Sequence, residues 1–523
     1  MKILLIYPQI DSVLGTNHGL ASIAGVLNSN GHQFKLLHVS EKYKGIPSNY
    51  EIIRLIEMEK PGLIGFSAMT QQMPWIEEQS IAIRKAFPDL VQIIGGVHCT
   101  MVPDEVQNTH LFDYICVGEG EYALLELMDA LEYGHPTEEI PNLRMWRDGK
   151  PVVNKVAPFP DLETLPQLDY SIFDMSAILA QTRGWMGILT SRGCPYKCTY
   201  CFNLEIVDQY VKDGAAKSAK DYLRHFPIDI IMDELKNLKR EYPQINTFIF
   251  DDDLFTLKKQ YVQAFCRAYI EHGIDLPFVV NGHVNCFDEK SAAALKKAGC
   301  IIVKFGLESG SDRVRREVLR RYMTNKQIEG SFAAAHKNLL HSSAFIMIGL
   351  PGETHTELME TLELCAKVKM GRFRWALFFP FPGTASYEIA KPYIDKDKMT
   401  GMGNYFDGSC LNFGDGYDLF LDKVGKLCNW YVNALTDWEC RPIYEALVHK
   451  IEAMDQDTWL MEKDKLVAYD RQLSEDLIEK DVLHYTIRYS NVMGVRSDYI
   501  KQEREQIASG EKVRSVTYSL DVG

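Results

Sequence analysis

At 523 residues the chain exceeds what one ordinary hydrophobic core supports, so two or three domains are expected. Hydrophobic residues make up 46% and charged residues 24%, the composition of a globular protein, and the formal net charge is −14. That acidic balance leaves no electrostatic footprint for DNA or RNA and disfavours a nucleic-acid substrate. No stretch of roughly 18 uncharged apolar residues occurs, so no membrane span is expected. The start, Met1 to Ile10, reads as a buried strand rather than a secretion signal. Twelve cysteines scattered through such a chain read as reduced thiols of a cytoplasmic protein.

In chain order, apolar runs at Ile3 to Tyr7, Gln33 to Val39, Leu63 to Phe66, Val91 to Ile94 and Tyr114 to Val117 are strand candidates. Helical patterns lie between and after them, at Gly19 to Leu27, Tyr50 to Met58, Met73 to Ala86 and Glu121 to Leu131. Strand–helix alternation builds a parallel sheet covered on both faces, here a five-stranded, doubly wound, Rossmann-like domain over residues 1–140. Residues 141–180 are proline-rich and read as a linker, with a hairpin at Asp148–Gly149. A second series over residues 181–390 has strand candidates at Gly187 to Thr190, Thr247 to Phe250, Phe278 to Val280, Ile301 to Phe305, Ala344 to Ile348 and Trp375 to Phe378. Six such repeats point to a partial (β/α)6 barrel. Residues 391–523 lose the rhythm and read as mainly helical.

Three cysteines stand close together, in Ser191-Arg192-Gly193-Cys194-Pro195-Tyr196-Lys197-Cys198-Thr199-Tyr200-Cys201-Phe202-Asn203. Thiolates are the soft ligands of zinc and of iron–sulfur clusters. A structural zinc site takes four ligands, and no second CxxC or HxxxH pair is present. Three thiolates without a fourth would leave one iron of a cubane open to chelate a small molecule.

This Cys-x3-Cys-x2-Cys spacing, with Tyr200 before the last cysteine, resembles the radical-SAM signature, and the following motifs agree in order. The resemblance implies that Cys194, Cys198 and Cys201 hold a 4Fe-4S cluster which donates one electron to S-adenosylmethionine and generates a 5′-deoxyadenosyl radical. It also implies cofactor contacts from Tyr200 and Phe202. Asp252 and Asp253, in Phe250-Asp251-Asp252-Asp253-Leu254-Phe255, would meet the methionyl amino group. Glu308 and Ser309, in Gly306-Leu307-Glu308-Ser309-Gly310, would meet the ribose. Ile348 and Gly349, in the Ile-Gly-Leu-Pro-Gly-Glu run, would meet the adenine, and Phe381-Pro382-Gly383-Thr384 would close the sixth strand. Alone, the acidic run reads as a helix cap and Gly-Leu-Pro-Gly-Glu as a plain turn.

Loops after several strands of the first domain are polar or glycine-rich, where an open α/β sheet binds its ligand. No GxGxxG opens the first helix, which disfavours a nicotinamide dinucleotide. Placed before such a barrel, this domain is similar to the cobalamin-binding domain of class B radical-SAM enzymes. The resemblance points to His18, Ser67, Thr70, Gly95, Gly96, His98, Gly118 and Glu119 as corrinoid contacts, with no Asp-x-His-x-x-Gly motif to supply an axial histidine. A loop histidine such as His18 is usually a polar surface or turn residue, Glu119 reads as a hydrogen-bonding group rather than a catalyst, and no catalytic residue is assigned. A domain that kept the fold as a scaffold only is the alternative. The implied function is a cobalamin-dependent methyltransferase acting on an unactivated carbon of a small-molecule or peptide substrate, fed by a flavodoxin- or ferredoxin-type one-electron reductant. The rivals are a non-methylating radical reaction on the same scaffold, and a non-catalytic corrinoid or metal sensor.

Overall fold

The apolar runs of the first 120 residues form the parallel strands β1 (Lys2–Pro8), β2 (Gln33–Val39), β3 (Leu63–Ser67), β4 (Val91–Gly95) and β5 (Tyr114–Cys116), in spatial order β2-β1-β3-β4-β5. Near-continuous burial along β1, β3 and β4 follows from helices on both faces. On one face, Ile52 and Ile56 of the helix Asn49–Glu59 and Ile76 and Ile83 of the helix Met73–Ala86 pack on Leu4, Ile64, Phe66 and Ile94. The other face carries the helices His18–Ser29 and Glu121–Tyr133, which pack against each other. The Asp148–Gly149 turn, in which both residues adopt positive φ, joins β6 (Leu143–Arg147) to β7 (Lys150–Val153). This hairpin pairs antiparallel onto β5, so the start of the expected connector extends the sheet to seven strands.

The computed structural model describes residues 1–401, 408–488 and 491–509. It resolves into two compact units, Met1–Asp253 with Phe381–Tyr387, and Leu254–Pro380 with the chain from Glu388 onward. Parts of the expected helical C-terminal region, at 402–407, 489–490 and 510–523, lie outside the described residues.

The first unit continues into β8 (Trp185–Ile188), β9 (Ser191–Arg192), β10 (Arg224–His225) and β11 (Thr247–Phe250). Strand β8 pairs parallel with β11, and β9 pairs antiparallel with β10. The first barrel strand ends two residues before the expected Thr190. The reason is local: the Asp252 carboxylate takes the backbone N–H of Thr190 out of the ladder, at 3.1 Å.

The second unit holds β12 (Phe278–Gly282), β13 (Cys300–Glu308), β14 (His341–Ile348) and β15 (Arg372–Leu377), parallel neighbours in that order. Helices follow each strand, so β8, β11, β12, β13, β14 and β15 head six successive βα repeats. After the helices Asp415–Leu435, Arg441–Glu452 and Gln456–Glu479, the hairpin β16 (Tyr485–Arg488) and β17 (Met493–Arg496) pairs antiparallel onto β15. The C-terminal region is thus helical with one sheet-extending hairpin that its residue pattern did not announce. Trp430 and Tyr431 are core residues there, and the Trp430 indole N–H donates to buried Asp470 at 2.6 Å. Cys410, Cys428 and Cys440 are buried thiols in the same region.

Candidate active site

Strands β3, β4 and β5 all end on one side of the first sheet, and their loops line a half-open cavity of about 490 Å³. Its deep part runs between the sheet and the helices His18–Ser29 and Glu121–Tyr133, among Leu5, Ile23, Ile93 and Leu124. At the mouth are Ser67, Gly95, Gly96, Gly118 and Glu119 from the sheet side. Facing them are Ser191, Arg192 and Gly193, directly before Cys194, together with Asp251 and Asp253. One cavity therefore joins the glycine loops of the first domain to the root of the cysteine loop. Gly96 makes this possible by close approach: at φ +105° a Cβ there would fall 2.7–2.8 Å from the Ala68 backbone.

The residues expected as corrinoid contacts divide. Ser67, Gly95, Gly96, Gly118 and Glu119 are on the wall. Thr70 and His98 bond to each other at 3.1 Å behind it, and burial pulls His98 down to about 4, so it is neutral at pH 7. The His18 ring is engaged by the Tyr170 hydroxyl at 2.8 Å and by Asp251 at 3.5 Å, and it is not part of the wall. The floor is apolar and glycine-rich with few polar groups, which fits the flat corrin and its aromatic tail. Among the described residues, no histidine lines this cavity.

Ion pairs fix the wall to the cysteine loop. Arg192 reaches Glu121 at 2.7 Å, Glu119 at 3.0 Å and the Ser22 hydroxyl at 2.9 Å, and Arg224 also binds Glu119. Burial raises the Glu121 carboxyl, but Arg192 and the Ser22 hydroxyl outweigh it and hold the group below its usual range. Glu119 is thus a structural ion-pair partner whose backbone N–H donates to the Tyr210 hydroxyl at 3.0 Å. Arg192 was missed by the sequence reading, although it stands two residues before Cys194.

The aspartates after β11 brace the same loop. Asp252 is fully buried and accepts from the Thr190 N–H and hydroxyl and from the Ser191 hydroxyl. Burial lifts it to about 6 against those bonds. Asp253 is bonded by Gly193 and Asn203, flanking the first and last cysteines, and burial raises it too. Gly193 itself needs φ +93°, where a Cβ would strike the Tyr222 carbonyl at 2.5 Å. The Cys198 carbonyl accepts from the Cys201 N–H at 3.2 Å, and Cys201 caps the helix Phe202–Lys212. Tyr200 is half-buried and Phe202 is exposed at that helix start. The segment Phe381–Tyr387 returns to this unit, where the Ser386 N–H donates to the Thr199 carbonyl at 2.9 Å.

Burial pushes the Cys201 thiol up to about 12, and Asp253, Cys198 and Cys194 push the same way. Three thiols this close repel as thiolates until a cation binds them, which fits an iron–sulfur group. Among the described residues no three His, Cys, Asp or Glu side chains converge on a single metal ion. The zinc alternative therefore finds no cage, whereas a cubane spreads its thiolates over separate irons.

In the second unit, Glu308 ends β13 and lies beside Ile346 of β14 in register, so Glu308, Ser309, Ile348 and Gly349 share one strand-end edge. Glu308 adopts φ +64°, a left-handed conformation costly for a residue with a Cβ, and the Arg321 guanidinium lies 4.0 Å from its carboxylate. Ser309 is buried, with its carbonyl accepting from Arg315 at 2.7 Å. The Gly349 and Leu350 N–H groups donate to buried Glu353, at 2.9 and 3.2 Å. Burial raises Glu353 to about 8. His283, after β12, accepts the Asn285 N–H at 3.2 Å and so caps a turn.

A doubly wound sheet with glycine loops, followed by six βα repeats whose first carries a three-cysteine loop, defines an α/β enzyme built around a corrinoid and an iron–sulfur cluster. Comparison with known proteins agrees: the B12 binding domain family matches residues 13–128 and the radical SAM superfamily matches residues 188–365. The chain is a radical SAM enzyme with a B12-binding domain, and its cofactors are cobalamin, S-adenosylmethionine and a 4Fe-4S cluster. An uncharacterized methyltransferase of Pyrococcus horikoshii is 28% identical over 404 residues, covering 75% of this chain and 83% of that one. The anaerobic magnesium-protoporphyrin IX monomethyl ester cyclase of Rubrivivax gelatinosus is 24% identical, over 73% of this chain and 68% of the relative. The radical S-adenosylmethionine methyltransferase TsrM from Kitasatospora setae, solved with tryptophan and a SAM analog, shares the fold at TM-score 0.59 and 18% identity. That likeness covers 75% of this chain and 76% of TsrM. No helix among the described residues is long and apolar enough to cross a membrane.

Proposed function

We propose that the protein is a cobalamin-dependent radical-SAM methyltransferase that methylates an unactivated carbon of a small-molecule or peptide substrate. The observation that carries this reading is the single cavity whose wall is shared by the glycine loops Gly95–Gly96 and Gly118–Glu119 and by Ser191-Arg192-Gly193. When bound, the cluster supplies the electron that cleaves S-adenosylmethionine, and cobalamin supplies the methyl group for transfer. Cys194, Cys198 and Cys201 hold the cluster. Asp252 and Asp253 fix the loop that carries them, and the apolar slot of Leu5, Ile93 and Leu124 would exclude water from a bound corrinoid. Glu308, Ser309, Ile348 and Gly349 are the proposed nucleoside contacts. A flavodoxin- or ferredoxin-type protein is the proposed electron donor.

A second reading is favoured by the cyclase relative: the same scaffold carrying out a radical reaction without methylation. Anaerobic incubation with reductant, cobalamin and S-adenosylmethionine separates the two. Cobalamin-dependent S-adenosylhomocysteine is expected for the methyltransferase. 5′-Deoxyadenosine without any homocysteine product would sink it in favour of the second reading.

A further inference from the structure

The second unit contains a larger cavity, of about 730 Å³, that the radical chemistry does not use. It lies at the N-terminal ends of β13 and β14, under the helix Ser497–Ala508. Strand β14 separates it from Gly349: the seven steps from His341 to Ile348 span about 23 Å. Its volume falls within the range of small-molecule sites, roughly 300–1,000 Å³.

His341, the first residue of β14, lines this cavity and is 3% exposed. Neither of its ring nitrogens has a hydrogen-bond partner. Burial, with Arg372 and Arg496 beside it, holds the ring neutral, so it offers one donor and one acceptor. Orphaned polar atoms of this kind cost stability unless something pairs with them. The ring is held in place edge-on to Tyr499, with centroids 4.3 Å apart, and Arg496 covers the other ring of that pair at 4.9 Å.

The charges around the ring select the ligand. Arg496 is spoken for by a bidentate pair with Asp498, at 3.0 and 2.6 Å, and Lys369 pairs with Asp437 at 2.7 Å. Lys296 has no carboxylate partner among the described residues; its ammonium donates to the Leu339 carbonyl at 2.7 Å. Gln502 and Gln506 add amides to the wall, and Glu503 adds a carboxylate. A single unneutralised ammonium suits one anionic group. A ring that needs both a donor and an acceptor suits hydroxyls, which are both.

We propose that this cavity is a second ligand site, which binds a small hydroxyl-bearing anion of the sugar-phosphate class through Lys296, His341 and the Gln502 and Gln506 amides. The test is calorimetric titration of the cofactor-loaded, full-length protein with ribose 5-phosphate, with S-adenosylmethionine and cobalamin saturating so that their own sites are closed. Ribose and inorganic phosphate serve as half-ligands. Saturable binding of ribose 5-phosphate is expected, at least tenfold tighter than either half-ligand. It should weaken at least tenfold in Lys296→Ala, a variant at an exposed helix position that leaves the core intact. A His341→Gln variant should lose the preference for ribose 5-phosphate over inorganic phosphate. Absence of binding, binding unchanged in Lys296→Ala, or inorganic phosphate binding as tightly as the ester would each overturn the proposal.

Discussion

Replacing Arg192 by Met isolates the ion pairs that tie the cofactor cavity to the cysteine loop. In the wild type the Glu121 and Arg192 side chains are 3% and 12% exposed and 2.7 Å apart. Removing one partner of a buried pair costs about 3–5 kcal/mol, because the other charge stays behind uncompensated. Glu119 keeps Arg224, and Glu121 keeps the Ser22 hydroxyl at 2.8 Å, so the expected loss lies near the lower end, about 3 kcal/mol. The pH dependence gives the sign. With Arg192 present, the Glu121 carboxyl is held low; its contribution is present above the unfolded-state value and is lost as pH falls through the depressed folded one. Without Arg192, burial, the largest influence, outweighs the remaining Ser22 hydrogen bond and raises the carboxyl, so stability is instead lost as pH rises through the raised value. Denaturant unfolding at pH 5 and pH 8 should therefore show a larger deficit at pH 8. Arg192→Met combined with Glu121→Leu should recover most of it, since an apolar pair of similar volume replaces a buried ion pair at little cost. A variant within 1 kcal/mol of wild type at pH 8, or a deficit that shrinks with rising pH, would refute the reasoning.

Asp252→Asn keeps an acceptor for Thr190 while removing a charge that burial lifts to about 6. The raised value means that wild type loses stability as pH rises through it, so the variant should gain on wild type between pH 4 and pH 7, measured by denaturant midpoints. Gly96→Val places side-chain atoms against the Ala68 backbone at the cavity mouth, and cobalt bound per folded chain should fall at least tenfold, with circular dichroism checking the fold. His18→Ala should leave cobalamin affinity within about twofold, read by absorbance titration, because the ring is engaged by Tyr170 and Asp251 rather than the cavity.

The five parallel strands were legible because buried strands are apolar throughout, as Ile3 to Ile6 and Leu63 to Phe66 are, and because helices with a clear apolar stripe separate them. The hairpin β16–β17 was not: Tyr485–Arg488 and Met493–Arg496 are four residues each, too short for a period to show. The start of β14 hid for a different reason. His341, Ser342 and Ser343 are polar and precede the expected strand start at Ala344, yet all three are buried, and only the fold reveals that His341 faces a cavity. At the site, the cysteine spacing and the glycine loops were visible from local pattern. The roles of Arg192, Arg224, Tyr210 and Asn203 depend on partners up to 170 residues away, as in the Arg192–Ser22 bond, and no local pattern carries that. His18 shows the converse: a plausible loop histidine whose partners, Tyr170 and Asp251, are set by tertiary contacts alone.

The most direct test of the central claim is 5′-deoxyadenosine formation by reduced, anaerobic, cluster-reconstituted protein with S-adenosylmethionine and cobalamin, alongside Cys198→Ala. Deoxyadenosine is expected from wild type and none from Cys198→Ala, with undiminished cobalamin binding by that variant, since Cys198 is not on the cavity wall. No deoxyadenosine from wild type that carries its iron and sulfide, or undiminished deoxyadenosine from Cys198→Ala, would contradict that claim.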